Sequence, residues 1–180
     1  MIRSLLHSRI RRLERSFGYD ATYLHEVLDV SLPAFLKFAL FQVMASHREQ
    51  VPIDAAFAAR IAATLSEDCG PCTQIVVDMA LHSGMESQKI AALIRGDIEK
   101  AGADAALGFR FGNAVACNTA DAPSISEEVE RRFGKRALVS MSYAVACSRV
   151  YPALKRGLGH AAACTKIQVL DDSIIIRQAA

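Results

Sequence analysis

The chain has no tryptophan and only five prolines in 180 residues. Scarce proline leaves long stretches free to be helical, because a proline inside a helix removes a hydrogen bond and clashes with the preceding turn. No apolar run reaches the roughly 18 residues of a membrane-crossing helix, so no membrane partner is expected. An excess of one charge is missing too. With 21 Lys and Arg against 19 Asp and Glu, the net charge of +2 gives no electrostatic case for nucleic acid. The first twenty residues lack the apolar middle and small-residue cleavage site of a signal peptide. The five cysteines, Cys69, Cys72, Cys117, Cys147 and Cys164, are odd in number and scattered, which makes a poor disulfide framework. These absences point to a reducing cytoplasm, where a close cysteine pair is redox-active or metal-binding rather than a staple.

What is present is apolar and periodic. Hydrophobic residues make up 52% of the chain with no low-complexity stretch, enough for one domain with a substantial core. From Ile2 to Phe17 apolar residues recur with helical spacing beneath five arginines, giving an amphipathic helix over residues 1–19. Its basic face is read as solvated or as a subunit contact. Asp20, then Ser31 with Pro33, signal the starts of two further helices; Pro52 and Asp54 open an Ala-rich one. Gly84 and Gly96 mark helix ends, and Ser124 with Glu127 has the form of a capping box. Lys135 to Arg156 reads as a last long helix, with a kink expected at Pro152. Residues 165–180 read as a short extended tail or hairpin. The prediction is a single all-α domain over 1–180 with about eight helices.

The segment Cys69-Gly70-Pro71-Cys72 carries the chemistry. Two cysteines three apart can open and close a disulfide with little backbone movement. Pro71 suits the first turn of a helix, whose unpaired N–H groups and dipole favour a thiolate. In such motifs the thiol pKa is commonly lowered. A thioredoxin-type arrangement would need a buried strand before the motif, whereas Ala58 to Leu65 is helical in period.

With Ala80 and Gly84 following Cys72 by eight and twelve residues, the motif resembles the core of the alkylhydroperoxidase D-like, or carboxymuconolactone decarboxylase-like, superfamily. The run from Gly84 through Asp97 resembles that group's next helix, and the likeness extends over about residues 30–157. It implies an all-helical, homo-oligomeric protein acting as a thiol peroxidase or disulfide reductase. Cys72 would then attack peroxide, and Cys69, the more exposed, would meet a protein disulfide or a reductase partner. The resemblance also implies a proton relay: a histidine four residues after the second cysteine, and a glutamate about three turns before the first. Here those places hold Val76 and the acid-free surroundings of Phe57. Glu67, two residues before the motif, and His82, ten residues after it, are the substitutes considered; Asp54 is read as a helix cap. Decarboxylase chemistry, which the other branch implies, does not rely on a cysteine pair.

No cofactor and no metal is expected. Cys117, Cys147 and Cys164 stand alone and read as small core residues, Tyr143 and Tyr151 as packing residues, and there is no Gly-rich phosphate loop. The functional expectation is a thiol–disulfide oxidoreductase or a weak alkylhydroperoxidase-type peroxidase. The alternative is a non-catalytic helical oligomer with a structural or redox-latch cysteine pair.

Overall fold

A computed structural model describes residues 2–160, 166–170 and 172–175. Among them are nine α-helices: α1 (Ile2–Phe17), α2 (Thr22–Val30), α3 (Leu32–Ala45), α4 (Ile53–Ser66), α5 (Gly70–His82), α6 (Ser87–Arg95), α7 (Ala103–Cys117), α8 (Ala122–Phe133) and α9 (Lys135–Gly157). A 3-10 turn, Ile98–Ala101, joins α6 to α7, and strands β1 (Lys166–Val169) and β2 (Asp172–Ile175) follow α9. The fold is all-α. None of the described helices is long and apolar enough to cross a membrane.

Helix α4 is the hub. Nine of its residues are buried, from Ala55 to Thr64, because the run is apolar on every side and can only be satisfied in the interior. It packs most extensively on α7, where Gly108 and Gly112 face it one turn apart. A Cβ on Gly108 would stand 2.7 Å from Ala55 Cα, and one on Gly112 equally close to Ala59 Cα. Only glycine allows that approach. Around this contact Leu107, Phe111, Val129, Met141 and Val145 fill the core with α8 and α9.

On another side of α4, helices α5 and α6 enclose Ile61, Val77, Ile90 and Leu93. The hairpin closes that cluster. β1 and β2 pair antiparallel from Lys166–Ile175 to Val169–Asp172, and alternation sends Ile167, Val169 and Ile174 inward. The expected extended tail is therefore a hairpin over 166–175, with residues 161–165, 171 and 176–180 outside the described residues.

Helices α1 to α3 form a third layer around Ile10, Tyr19, Tyr23, Leu28 and Phe35. Ser31 accepts from the Ala34 N–H at 3.3 Å with Pro33 in the first turn, as its sequence implies. The Asp20 carboxylate accepts from the Thr22 N–H at 2.9 Å. Between α1 and α2, His7 and His25 stack with Nδ1 atoms 2.6 Å apart, and Asp29 and Glu14 hold their outer nitrogens.

Two local expectations are corrected. Helix α8 begins at Ala122, ahead of Ser124, because Pro123 suits the first turn; Ser124 donates back to the Asp121 carbonyl, and no capping box forms. Asp54 lies inside the first turn of α4, and its carboxylate pairs with Lys89 at 2.8 Å instead of capping the helix. Helix α9 runs unbroken through Pro152.

Candidate redox site and the cavity behind it

The cysteine motif sits where α4 turns into α5. Glu67 ends α4, and Asp68 takes a left-handed backbone (φ 48°) that reverses the chain within two residues. Cys69 is the N-cap of α5: its extended backbone presents a carbonyl that accepts from the Thr73 N–H at 2.9 Å and the Thr73 hydroxyl at 3.1 Å. Gly70 and Pro71 open the helix, so Cys72 falls among the N–H groups that no carbonyl satisfies. The two residues are joined as a disulfide, with Cα atoms 5.2 Å apart.

Both cysteines are buried, Cys69 at 4% exposure and Cys72 at 3%. The expectation of an exposed Cys69 is thereby corrected, and Glu67 supplies the reason. Its carboxylate receives Arg149 Nε at 2.6 Å and Arg156 Nη2, while Arg156 Nη1 donates to its carbonyl at 2.9 Å. Both arginines belong to α9, so the turn before Cys69 is drawn down onto that helix. Burial alone would raise the Glu67 pKa, but the hydrogen bonds and charges of Arg156 and Arg149 outweigh it and hold the carboxyl below its usual range. A carboxylate so paired is a poor proton acceptor near neutral pH. Glu67 is an anchor for the turn.

His82 lies at the far end of α5, ten residues and about 15 Å of helical rise beyond Cys72. Its Nδ1–H donates to the Asp78 carbonyl at 2.9 Å, and its ring meets Phe17 edge-on at 5.3 Å. The chain does not bring His82 to its own cysteine pair. Val76, where the resemblance implies a histidine, continues a stripe of Cys72, Ile75, Val76 and Met79 along one face of α5.

That stripe forms one wall of a cavity of about 430 Å³ bounded by α1, α2, α3, α4, α5 and α9. Small-molecule sites commonly occupy roughly 300–1,000 Å³. Leu13, Phe35, Phe38 and Ala144 give it apolar walls; Arg60, Gln42, Cys147 and three tyrosines give it polar points. Cys72 lines the cavity and Cys69 does not. Of the pair, Cys72 therefore lies on the cavity side and Cys69 beneath the α4–α5 turn.

The polar points are held firmly. Tyr151 receives Gln42 Nε2–H at 2.6 Å, and burial pushes its phenol up to about 12. Tyr19 donates to Tyr23 at 3.4 Å, and burial raises both phenols further from neutrality, so all three stay protonated donors. Behind Tyr19 lies Lys155, only 3% exposed, with its ammonium 4.7 Å from the Tyr19 ring centre and 5.1 Å from that of Tyr23. Desolvation lowers its pKa, with the charge of Asp20 opposing the shift. Cys147 is buried, and burial pushes its thiol up.

No protein-family model, curated protein or solved structure matches this chain. The reading of the site rests on its geometry.

Sequence reasoning singled out the cysteine pair and missed what faces it. Arg60 had a visible signal: between Asp54 and Glu67 it is the one charged residue in α4. Tyr19, Tyr23 and Lys155 gave none, because what joins them is the packing of α1 and α2 on α9. Cys117, read as core, is exposed, its Sγ 3.7 Å from Asn113 Oδ1; Cys164 lies outside the described residues. Tyr143, read as packing, is 41% exposed, with His47 edge-on at 5.7 Å. Among the described residues, no three His, Cys, Asp or Glu side chains gather as a metal site would require.

Proposed function

We propose that the protein is a thiol–disulfide oxidoreductase of alkylhydroperoxidase D-like character, in which Cys72 works from the inside of the cavity and Cys69 from the outside. The observation that carries this is the asymmetry of the pair: Cys72 alone of the two lines the cavity. In the reduced state a Cys72 thiolate would attack a small oxidant held in the cavity. With a hydroperoxide, the terminal oxygen passes to sulfur as a sulfenic acid and an alcohol leaves, protonated by a neighbouring phenol. Cys69 then displaces water from that sulfur to re-form the disulfide, and an external dithiol restores the reduced pair. Without a relay histidine, slow thiol redox is expected in preference to rapid peroxide turnover.

The setting proposed is a reducing cytoplasm. Self-association is proposed through α3 and α9, which leave Leu40 and Val43 70% exposed and Val139 and Tyr143 41% exposed. A second reading, the non-catalytic latch, is favoured by the burial of both sulfurs and the commitment of Glu67 to two arginines.

Redox titration of the Cys69–Cys72 pair separates the two readings. Alkylation across poised glutathione buffers, with Cys69→Ser as control, should find a reversible couple within about −120 to −270 mV. A pair that stays oxidised or reduced throughout removes the enzymatic reading and leaves the latch.

A further inference from the structure

The cavity has one charge, that of Arg60, which no carboxylate among the described residues balances. Arg60 projects from α4 into space lined by α1, α3, α5 and α9. Its Nη2–H donates to the Ala45 carbonyl at 2.6 Å, and its guanidinium lies 5.5 Å from the Phe57 ring centre. That uses one of five N–H donors. Arg60 Nε is buried with no partner, and no carboxylate among the described residues pairs with the side chain. Burial lowers its pKa; Cys147 and Tyr151 oppose that shift, and Arg48 adds to it.

The surroundings repeat the imbalance. Of the cavity's lining residues, Arg9 and Arg60 are cationic and none is acidic. Arg9 is exposed, so it belongs to the rim, whereas Arg60 is half-buried with its Nε shielded from solvent. A guanidinium partly withdrawn from water without a counter-ion carries a desolvation cost, and a bound anion offsets it. Planar, two-pronged carboxylates suit arginine best. Apart from the polar points already named, Ile10, Leu13, Phe35, Phe38, Ile75 and Met79 give the cavity an apolar wall.

We propose that the cavity binds an amphipathic monocarboxylate of the medium-chain fatty acid class, its carboxylate on the free N–H edge of Arg60 and its chain along the apolar wall beside Cys72. This deepens the redox reading by naming the class of small molecule that reaches the inner sulfur. It stands on Arg60 and the cavity whether or not the dithiol turns over.

The probe is decanoate, kept below its micelle-forming concentration and titrated calorimetrically into the oxidised full-length protein, with decanamide as the uncharged match. Decanoate should bind saturably, one per chain, and about tenfold or more tighter than decanamide. Arg60→Gln, with its helical circular dichroism intact, should erase that preference by weakening decanoate alone. If Arg60→Gln does not fold, Ala39→Trp at an exposed position of the α3 wall should weaken both ligands by narrowing the cavity. Equal binding of acid and amide to the native protein, or uptake that never saturates, overturns the proposal. A protein that prefers decanoate yet shows no reversible dithiol couple keeps this inference and loses only the redox reading. A reversible couple without decanoate preference does the reverse.

Discussion

The two sides of α4 end in opposite states. Toward α7, Ala55 and Ala59 meet Gly108 and Gly112, and the two backbones touch with no room for a methyl group. Toward α3, α5 and α9, Arg60 and Thr64 look across a cavity of about 430 Å³. Alanine-rich helices therefore do not pack tightly by themselves. They pack tightly where the partner also lacks side chains, and leave space where the partner is held away. Here Phe35, Phe38 and Met79 line the gap without filling it.

The sharpest way to break this contrast is to add volume on each side. Gly112→Val places its Cβ against the Ala59 backbone, which cannot yield, and should cost about 3 kcal/mol or more in denaturant unfolding. Ala144→Leu, buried at 2% but facing the cavity, should fall within about 1 kcal/mol of the native protein because empty space receives the new atoms. Equal losses from the two variants would mean that the cavity side is as tight as the other.

A smaller effect is expected at the anchor. Glu67→Gln should lose about 1 kcal/mol near neutral pH, a modest figure because Arg149 and Arg156 are each nearly half exposed. The sign follows from the lowered pKa. Glu67 stabilises above its unfolded pKa, and that contribution disappears as pH falls through the folded one, so variant and native stabilities should converge in acid. Faster alkylation of reduced Cys69 in this variant would show that the anchor also shields the outer sulfur.

The smallest effect is expected at Lys155, where desolvation lowers the folded pKa below the unfolded value. The penalty is then fully present while both states are protonated and shrinks as pH rises from the folded to the unfolded pKa. The raised phenols of Tyr19, Tyr23 and Tyr151 act the other way at high pH, so the Lys155 contribution is read as a difference. Urea-unfolding stability of the native protein relative to Lys155→Met should rise as pH approaches the unfolded lysine pKa.

How far the sequence carried depends on the range of the forces involved. Helix ends at Gly84 and Gly96, and the start at Ser31 and Pro33, follow from groups within a turn of one another, so they were readable. The hairpin was foreseen as one option because Lys166 to Ile175 has strand-forming residues on both sides of a short break. Ser124 and Glu127 had the right spacing for a cap, but Pro123 competed more strongly for the helix start. Of the candidate site, the cysteine pair was legible as a local motif. Its burial was not, since that depends on α9 lying 82 residues away in sequence, from Glu67 to Arg149. Arg60 was visible as a lone charge, yet its lack of a carboxylate partner among the described residues is a property of six helices together.

The disulfide spans a sequence separation of only three residues, within the first turn of one helix. Short loops restrict the unfolded chain least, and the α4–α5 turn is already fastened to α9 through Glu67. Reducing the bond therefore removes little of what keeps the molecule folded. By thermodynamic cycle, the ease of reduction is then set by the immediate surroundings of the two sulfurs and hardly at all by the stability of the whole domain. A two-electron cycle at this pair, as proposed above, would then draw little on the folding free energy, so changes elsewhere in the helical frame could accumulate without retuning the couple.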